Sequence, residues 1–165
     1  MLTLFLIRHA KSSWEDPGLS DKDRPLNKRG KKDAPLMGSI LRDKNESASL
    51  IISSPAKRAY DTAKIIAEET GYKTGKIEKD DKLYMADIND FISVIKKAHN
   101  SNTCIMLFSH NYGITDFANF IGDLKIENIP TCGIVKIKFK TDNWKNVTDL
   151  KGKTEFFIFP KMFKN

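Results

Sequence analysis

The stretch LFLIRHAKSS, residues 4–13, lies near the start of this 165-residue chain, where a run of strand-forming residues ends in polar ones. The nearly continuous apolar run from Leu2 to Ile7 has the length of a strand, and such a run is typical of a strand covered on both faces. It stops abruptly at Arg8 and His9, after which small and polar residues follow. A buried strand that ends in a cation and an imidazole predicts a functional site at that end of the sheet.

Alternating strand and helix patterns extend outward from this first strand. Further strands are predicted at 50–53, 103–108 and 134–139, with two more, an antiparallel edge, in WKNVTDL (144–150) and FFIFP (156–160). Helices are predicted at 26–42, from a Ser54-Pro55 start to Gly71, at 87–99 and at 112–121; in the first of them Pro35 marks either the start of the regular part or a kink. The alternation predicts an α/β fold, a three-layer α/β/α sandwich with a mostly parallel central sheet, in one domain over residues 1–165.

Composition restricts the class of protein and its partners. A hydrophobic content of 40% and a charged content of 30% describe an ordinary soluble globular protein, and the net charge of +7 favours an acidic partner. Nucleic acid is not expected, because no basic stripe is interleaved with aromatic residues. No apolar stretch is long enough to span a membrane and the N-terminal run is no signal peptide, so a cytoplasmic protein without a membrane partner is predicted.

Three predicted strand ends carry the residues that point to chemistry. Arg8 and His9 follow the first strand, Arg58 lies in the first helical turn after the second, and His110 follows the strand at 103–108. If these ends meet, two guanidinium groups and two imidazoles form a pocket suited to a phosphoryl group. An imidazole aimed at phosphorus can act as a nucleophile through a phosphohistidine, and the cations stabilise the transition state. We therefore expect neither a metal nor another cofactor.

Each of these residues could also have a purely structural role, and the sequence lacks the motifs of other kinds of catalytic or metal site. An Arg-His pair after a strand is often a capping feature, and His110 alone could be a core histidine; the convergence of three such sites favours chemistry. A cysteine phosphatase loop is excluded, since His110 and Lys138 stand where Cys104 and Cys132 would each require an arginine. The sequence contains no phosphate-binding glycine loop, and its histidines and cysteines lack zinc-site spacing.

Four segments together resemble the histidine phosphatase superfamily, also called phosphoglycerate mutase-like. They are LIRHAKSSW (6–14), RPLNKRG (24–30), SSPAKRAYDTA (53–63) and LFSHN (107–111). The similarity extends over roughly residues 2–140. The short length, RHA in place of the commoner RHG, and the RPL…RG segment look most like the SixA-type phosphohistidine phosphatase branch.

The resemblance implies roles for the residues that match its motifs. His9 takes the place of the phosphorylated nucleophile, Arg8 and Arg58 clamp the phosphoryl group, and His110 contacts it opposite the leaving group. Ser12 and Ser13 could add donors to the phosphate or belong to a flexible loop.

The general acid is where this chain departs from the family pattern. Larger relatives carry a glutamate acid; the nearest counterpart here is Asp81, in DDKLYMAD (80–87), which is either an acid or a solvated loop carboxylate. Short SixA-type members often lack an acid. Alkoxides leave poorly without a proton donor, whereas imidazole leaves well, so an acid-poor site suits phosphohistidine or aryl phosphates.

The function that these residues predict is a metal-independent phosphatase acting on phosphohistidine in signalling proteins. Two alternatives stay open: a small-molecule phosphomonoesterase of the same fold, distinguished by whether Asp81 points into the pocket, and a phosphate-binding module without turnover. The partner is accordingly a phosphorylated protein or a small phosphate ester. An open site that accepts a protein surface is expected, because the chain lacks insertions large enough to build a deep cap.

Overall fold

The computed structural model describes residues 1–164, and all of its strands join one sheet. The strands are β1 (Leu2–Arg8), β2 (Leu50–Ser53), β3 (Glu78–Lys79), β4 (Cys104–Ser109), β5 (Ile134–Phe139) and β6 (Lys153–Ile158). Their order across the sheet is β3-β2-β4-β1-β5-β6. The two-residue β3 was not predicted. That the chain is a single catalytic domain stays a prediction.

The central strands run parallel. β1 pairs with β4, β4 with β2, and β2 with β3, all in parallel register, whereas β5 is antiparallel to both β1 and β6. Because β1, β4 and β2 are parallel neighbours, their carboxyl ends share one edge of the sheet.

Helices cover both faces of the sheet. They are α1 (Lys28–Asp43), α2 (Lys57–Thr70), α3 (Ile88–Lys96) and α4 (Gly113–Ile121). Phe5 of β1 lies in a buried cluster with Met37 of α1 and Ile66 of α2. Its neighbour Leu4, which points to the opposite face, lies in a second cluster with Phe91 of α3 and with α4. The predicted three-layer α/β/α sandwich is confirmed, and α1 continues through Pro35 as one helix.

The start of α2 differs from the prediction. The helix begins at Lys57 with Ala56 as its N-cap, so Ser54 is not the capping residue. The backbone N–H of Ser54 still bonds to the carbonyl of Phe108 in β4, at 2.9 Å, and this bond keeps Ser54 in line with the sheet. Its hydroxyl accepts a bond from the Ala56 N–H instead, so the chain turns two residues later than the Ser-Pro pair indicated.

The edge of the sheet also differs in part. The strand in FFIFP (156–160) is confirmed as the end of β6, but residues 144–150 form no strand. A 3-10 turn occupies Trp144–Asn146, because the indole N–H of Trp144 bonds to the Asn102 carbonyl and the Asn143 side chain accepts from the Lys145 N–H. The hydrogen bond to the Asn143 side chain and the burial of Trp144 therefore outweigh the strand pattern predicted for residues 144–150.

Within residues 1–164, no helix combines the length and the apolar character that a membrane crossing requires.

Candidate active site

Four of the residues predicted from the sequence, Arg8, His9, Arg58 and His110, meet at the carboxyl edge of β1, β4 and β2. Arg8 ends β1, and His9 follows it; the His9 N–H bonds to the carbonyl of Ser109, the last residue of β4. His110 therefore emerges beside His9, with the two ring centroids 5.1 Å apart. Arg58 is the second residue of α2, which starts from the neighbouring β2.

His9 is held so that one ring nitrogen is free. Its Nδ1 lies 2.7 Å from the Ala10 carbonyl oxygen, which can only accept, so Nδ1 carries the proton and Nε2 keeps its lone pair. The side chain is 7% exposed. Burial lowers the pKa of His9 to about 3; the bond to Ala10 opposes this, and His110 and the guanidinium groups of Arg58 and Arg8 add to the decrease. The ring is thus neutral at neutral pH, as a nucleophile must be.

His110 has the opposite arrangement. Ser54 Oγ, which accepts from the Ala56 N–H, lies 2.7 Å from His110 Nε2, and we assign the Ser54 hydroxyl as the donor of this bond. The proton of the neutral His110 ring is then on Nδ1, which is buried without a partner. Burial, and then the charge of Arg58, lowers the pKa of His110 to about 3, while Asp21 opposes the change. His110 therefore offers one free N–H donor.

The two arginines present free donors as well. Arg8 Nη1 bonds to the carbonyl of Ile129 at 2.9 Å, and Arg58 Nη1 and Nη2 bond to the backbone oxygen and Oδ2 of Asp21 at 2.6 and 2.9 Å. Among residues 1–164, the Nε atoms of both arginines are buried without a partner. An orphaned buried donor costs on the order of 1–3 kcal/mol, so the two arginine Nε donors favour an anionic ligand.

Asp21 is a site residue that sequence reasoning missed. Its Oδ2 accepts from the Tyr84 hydroxyl at 2.5 Å as well as from Arg58, and its Oδ1 from Arg24 Nε at 3.2 Å. Burial raises the pKa of Asp21, but hydrogen bonds from Tyr84, Arg58 and Arg24 outweigh it and hold the pKa well below its usual range. The same contact with Asp21 raises the pKa of Tyr84, whose ring packs edge-on against His110.

Three other predicted residues are not brought into contact with the nucleophile. Ser12 Oγ accepts from Arg24 Nη1 at 2.8 Å, and Ser13 Oγ accepts from the Glu15 N–H at 3.1 Å, so both hydroxyls bond within their own loop. The Asp81 carboxylate is exposed, and no hydrogen bond or ion pair among residues 1–164 joins it to His9 or His110. Its geometry is that of a solvated carboxylate in the turn before Tyr84.

Across the described part of the chain, histidine, cysteine, aspartate and glutamate side chains form no group of three or more that could hold a metal ion. The positive charge close to His9 comes from the guanidinium groups of Arg58 and Arg8, and such groups match the oxygens of a phosphoryl group in a fixed planar geometry.

Comparison with known proteins agrees with this geometry. The family model of the histidine phosphatase superfamily, branch 1, matches residues 4–91, just over half of the chain. Phosphoserine phosphatase 1 of Hydrogenobacter thermophilus is 41% identical over 91 residues, which cover 53% of this chain and 40% of that protein.

Two solved structures share the whole fold. The SixA protein of Agrobacterium tumefaciens, provisionally assigned as a phosphohistidine phosphatase, is 26% identical, with a TM-score of 0.79 over 96% of this chain and 98% of that one. The protein histidine phosphatase SixA in complex with tungstate has a TM-score of 0.84 over 99% and 100% of the two chains; at 17% identity this likeness is one of fold. The chain thus belongs to the histidine phosphatase superfamily, branch 1, and is of the SixA type.

Proposed function

We propose that this phosphatase removes the phosphoryl group from phosphohistidine in a protein, through a covalent phosphohistidine on His9. The observation that carries the proposal is the free Nε2 of a neutral, buried His9 beside the unpartnered donors of Arg8, Arg58 and His110. Phosphoryl transfer requires a nucleophile together with hydrogen-bond donors for the phosphoryl oxygens.

In the first step, the Nε2 lone pair of His9 attacks phosphorus. The bond from phosphorus to the substrate nitrogen breaks, and its electron pair leaves with the substrate imidazole. If the second nitrogen of that imidazole carries a proton, the ring leaves neutral and no acid is needed. The Nε–H groups of Arg8 and Arg58 and the Nδ1–H of His110 donate to the phosphoryl oxygens as charge develops.

In the second step, water attacks the phosphorus of phosphorylated His9. The bond between phosphorus and Nε2 breaks, its electrons return to Nε2, and both water protons leave with the dihydrogen phosphate product. The proton that stays on Nδ1 lets the His9 ring leave neutral. The carbonyl of Ala10, 2.7 Å away, holds that proton and stabilises the positive ring of the intermediate.

The shortage of a proton donor favours phosphohistidine over alkyl phosphates. The carboxylate in contact with the site is Asp21, and the hydrogen bonds that hold its pKa well below the usual range keep it ionised at neutral pH. An ionised carboxylate cannot protonate a departing alkoxide. Imidazole and aryloxide leaving groups need no such help.

Exposed apolar side chains beside the site favour a protein substrate. Trp14, Met85 and Tyr112 are 72%, 77% and 67% exposed. Trp14 stacks on Arg24, which bonds to Asp21; Met85 and Tyr112 come just after Tyr84 and His110. Large apolar residues left on the surface around a reactive centre are suited to contact another protein.

A small-molecule phosphomonoesterase is the second candidate. The similarity to phosphoserine phosphatase 1 over half of the chain favours it, because that name describes an enzyme acting on a small alkyl phosphate. The two candidates differ in the leaving group that the site must accept.

The test compares wild type, His9→Ala and a matched control, His99→Ala, which changes an exposed histidine beyond the end of α3. Each is assayed with chelator on a phosphohistidine-bearing protein, an aryl phosphate and an alkyl phosphate, and acid-labile phosphate on the protein is followed by mass spectrometry. We expect the phosphoprotein to be the best substrate and the alkyl ester the poorest. The acid-labile phosphate should be found on His9. Removal of the nucleophile is expected to lower turnover at least about a thousandfold.

Turnover by His9→Ala equal to wild type would remove the covalent route. Preference for the alkyl phosphate over the phosphoprotein would favour the small-molecule enzyme. Phosphate binding without turnover of any substrate would favour a binding module.

A further inference from the structure

Within the part of the chain that the structure describes, Arg58 uses one edge of its guanidinium group in bonds to the protein. That edge, formed by Nη1 and Nη2, binds the backbone oxygen and Oδ2 of Asp21. The adjacent edge includes Nε, which is buried without a partner. A guanidinium group is planar and its donors are fixed relative to one another, so the contact on one edge sets the direction of the other.

Asp21 is itself fixed by two further residues. Tyr84 donates its hydroxyl to Oδ2, and Arg24 donates Nε to Oδ1. Arg24 is buried, and its Nη1 also bonds to Ser12 Oγ at 2.8 Å and to the Ser13 carbonyl at 3.3 Å. The loop that follows His9 is thus connected, through Arg24 and Asp21, to the first turn of α2.

The indole of Trp14 covers this connection from outside. The centre of the Arg24 guanidinium group lies 3.5 Å from the Trp14 ring centroid, a stacking distance. Water is thereby kept from one face of Arg24, which strengthens the ion pair between Arg24 and Asp21. An aspartate in an otherwise exposed loop is held in a single position as a result.

We propose that Asp21 is a positioning residue: it grips one edge of Arg58 so that the Nε–H edge faces the phosphoryl group. The inference rests on the proposed function, because it assigns the free edge of Arg58 to the substrate. Asp21 does not touch the phosphoryl group in this arrangement. It restricts the rotamers of Arg58 before the substrate binds, so less side-chain entropy is lost on binding.

A simple charge argument predicts the opposite effect. Asp21 is an anion close to an anion site, so its Coulomb repulsion alone would weaken phosphate binding, and its removal would strengthen it. Removal of the Asp21 carboxylate should therefore weaken orthophosphate binding if Asp21 positions Arg58, and strengthen it if repulsion dominates.

The experiment measures orthophosphate affinity by calorimetry and aryl phosphate turnover for wild type, Asp21→Ala, Asp21→Asn and Asp23→Ala. Asp23 lies in the same turn and bonds to Ser20, so its removal gives the effect of one lost charge without loss of the Arg58 contact. We expect Asp21→Ala to weaken orthophosphate binding at least about tenfold and to raise KM in parallel. Asp21→Asn keeps an acceptor for Arg58 and should recover part of that loss; Asp23→Ala should stay within about twofold.

Thermal unfolding of the four proteins separates positioning from folding, because a purely structural defect lowers the melting temperature without changing the affinity of the folded protein. Equal or tighter orthophosphate binding by Asp21→Ala overturns the proposal. If wild type binds orthophosphate but turns over no substrate, the proposed function fails while the affinities still decide the role of Asp21. If wild type binds no orthophosphate, the free edge of Arg58 serves no phosphoryl group and the positioning role is overturned too.

Discussion

The imidazole rings of His9 and His110 lie 5.1 Å apart with an angle of 52° between their planes, and both rings are buried. Two protonated imidazoles at this distance would repel each other and the neighbouring guanidinium groups. The site therefore favours two neutral rings, that of His9, the proposed nucleophile, and that of His110. This arrangement makes the stability of the fold depend on pH.

The free energy of unfolding should fall as the pH decreases from about 6.5. An unfolded histidine has a pKa of about 6.5. The pKa of His9 and that of His110 are each lowered to about 3 in the folded protein, chiefly by burial. Between these values the unfolded chain binds more protons than the folded one, so acid favours unfolding and stability rises with pH.

Urea unfolding at pH 7, 6 and 5 measures this dependence in wild type, in His9→Asn, in His110→Gln and in the double variant. The interval above pH 5 avoids most carboxylate titration. Each single variant should lose part of the wild-type slope and the double variant most of it. A double variant with the wild-type slope would show that these two rings are not the groups that take up protons on unfolding.

Asp81→Asn should leave both aryl and alkyl phosphate turnover within about twofold of wild type. The Asp81 carboxylate is exposed and bonds to no site residue among those the structure describes, so it has no path to a departing oxygen. Steady-state kinetics on the two esters is the measurement. A selective loss of alkyl phosphate turnover would identify Asp81 as the general acid and contradict the geometry.

The sequence reveals the parts of the site that follow regular elements. Arg8 and His9 are found because a strand-length apolar run ends at them, and Arg58 because it opens a helix after the next strand. Parallel pairing of neighbouring strands then brings these ends together. Local sequence patterns locate each strand and helix end, and the α/β fold class predicts that these ends meet.

Asp21 lies outside the reach of that reasoning. It sits in a loop without periodicity, and its partners Arg58 and Tyr84 are 37 and 63 residues away in the chain. Ser54 shows a different limit. The Ser-Pro pair has the pattern of a helix start, but the sheet bond from the Ser54 N–H and the contact with His110 place the residue before the helix. Tertiary contacts there outweigh a local signal.

Gly30→Ala should destabilise the fold by about 1–3 kcal/mol through overpacking. A Cβ at Gly30 would lie 2.2 Å from the backbone oxygen of Lys11, two residues after His9. That oxygen accepts the N–H of Asn27, the N-cap of α1, so relief of the clash breaks a bond between the loop and the helix. Gly75→Ala is the control, since nothing lies within 4 Å of its Cβ. Equal urea unfolding midpoints for the two variants would show that the loop containing Lys11 moves away from the new methyl group with no loss of stability.

Thr62 joins the segment that follows His9, the proposed nucleophile, to the first turn of α2, which carries Arg58. Its buried Oγ1 accepts the Ala10 N–H at 3.0 Å and donates to the Arg58 carbonyl at 2.7 Å. Thr62→Val keeps the shape but leaves a buried N–H without a partner, so stability should fall by about 1–3 kcal/mol. Because the Ala10 carbonyl also holds His9 Nδ1, turnover should fall as well.

Thr62→Ser retains the hydroxyl and should recover most of the turnover, with a smaller loss of stability from the missing methyl group. Thr70→Val is the matched control on the same helix: the Thr70 hydroxyl bonds back to the Ile66 carbonyl and accepts from no other segment. Urea unfolding and aryl phosphate kinetics, both well below the melting temperature, measure the two effects. If Thr62→Val and Thr62→Ser lose turnover equally, the hydroxyl does not position His9, and the defect comes from packing of the methyl group.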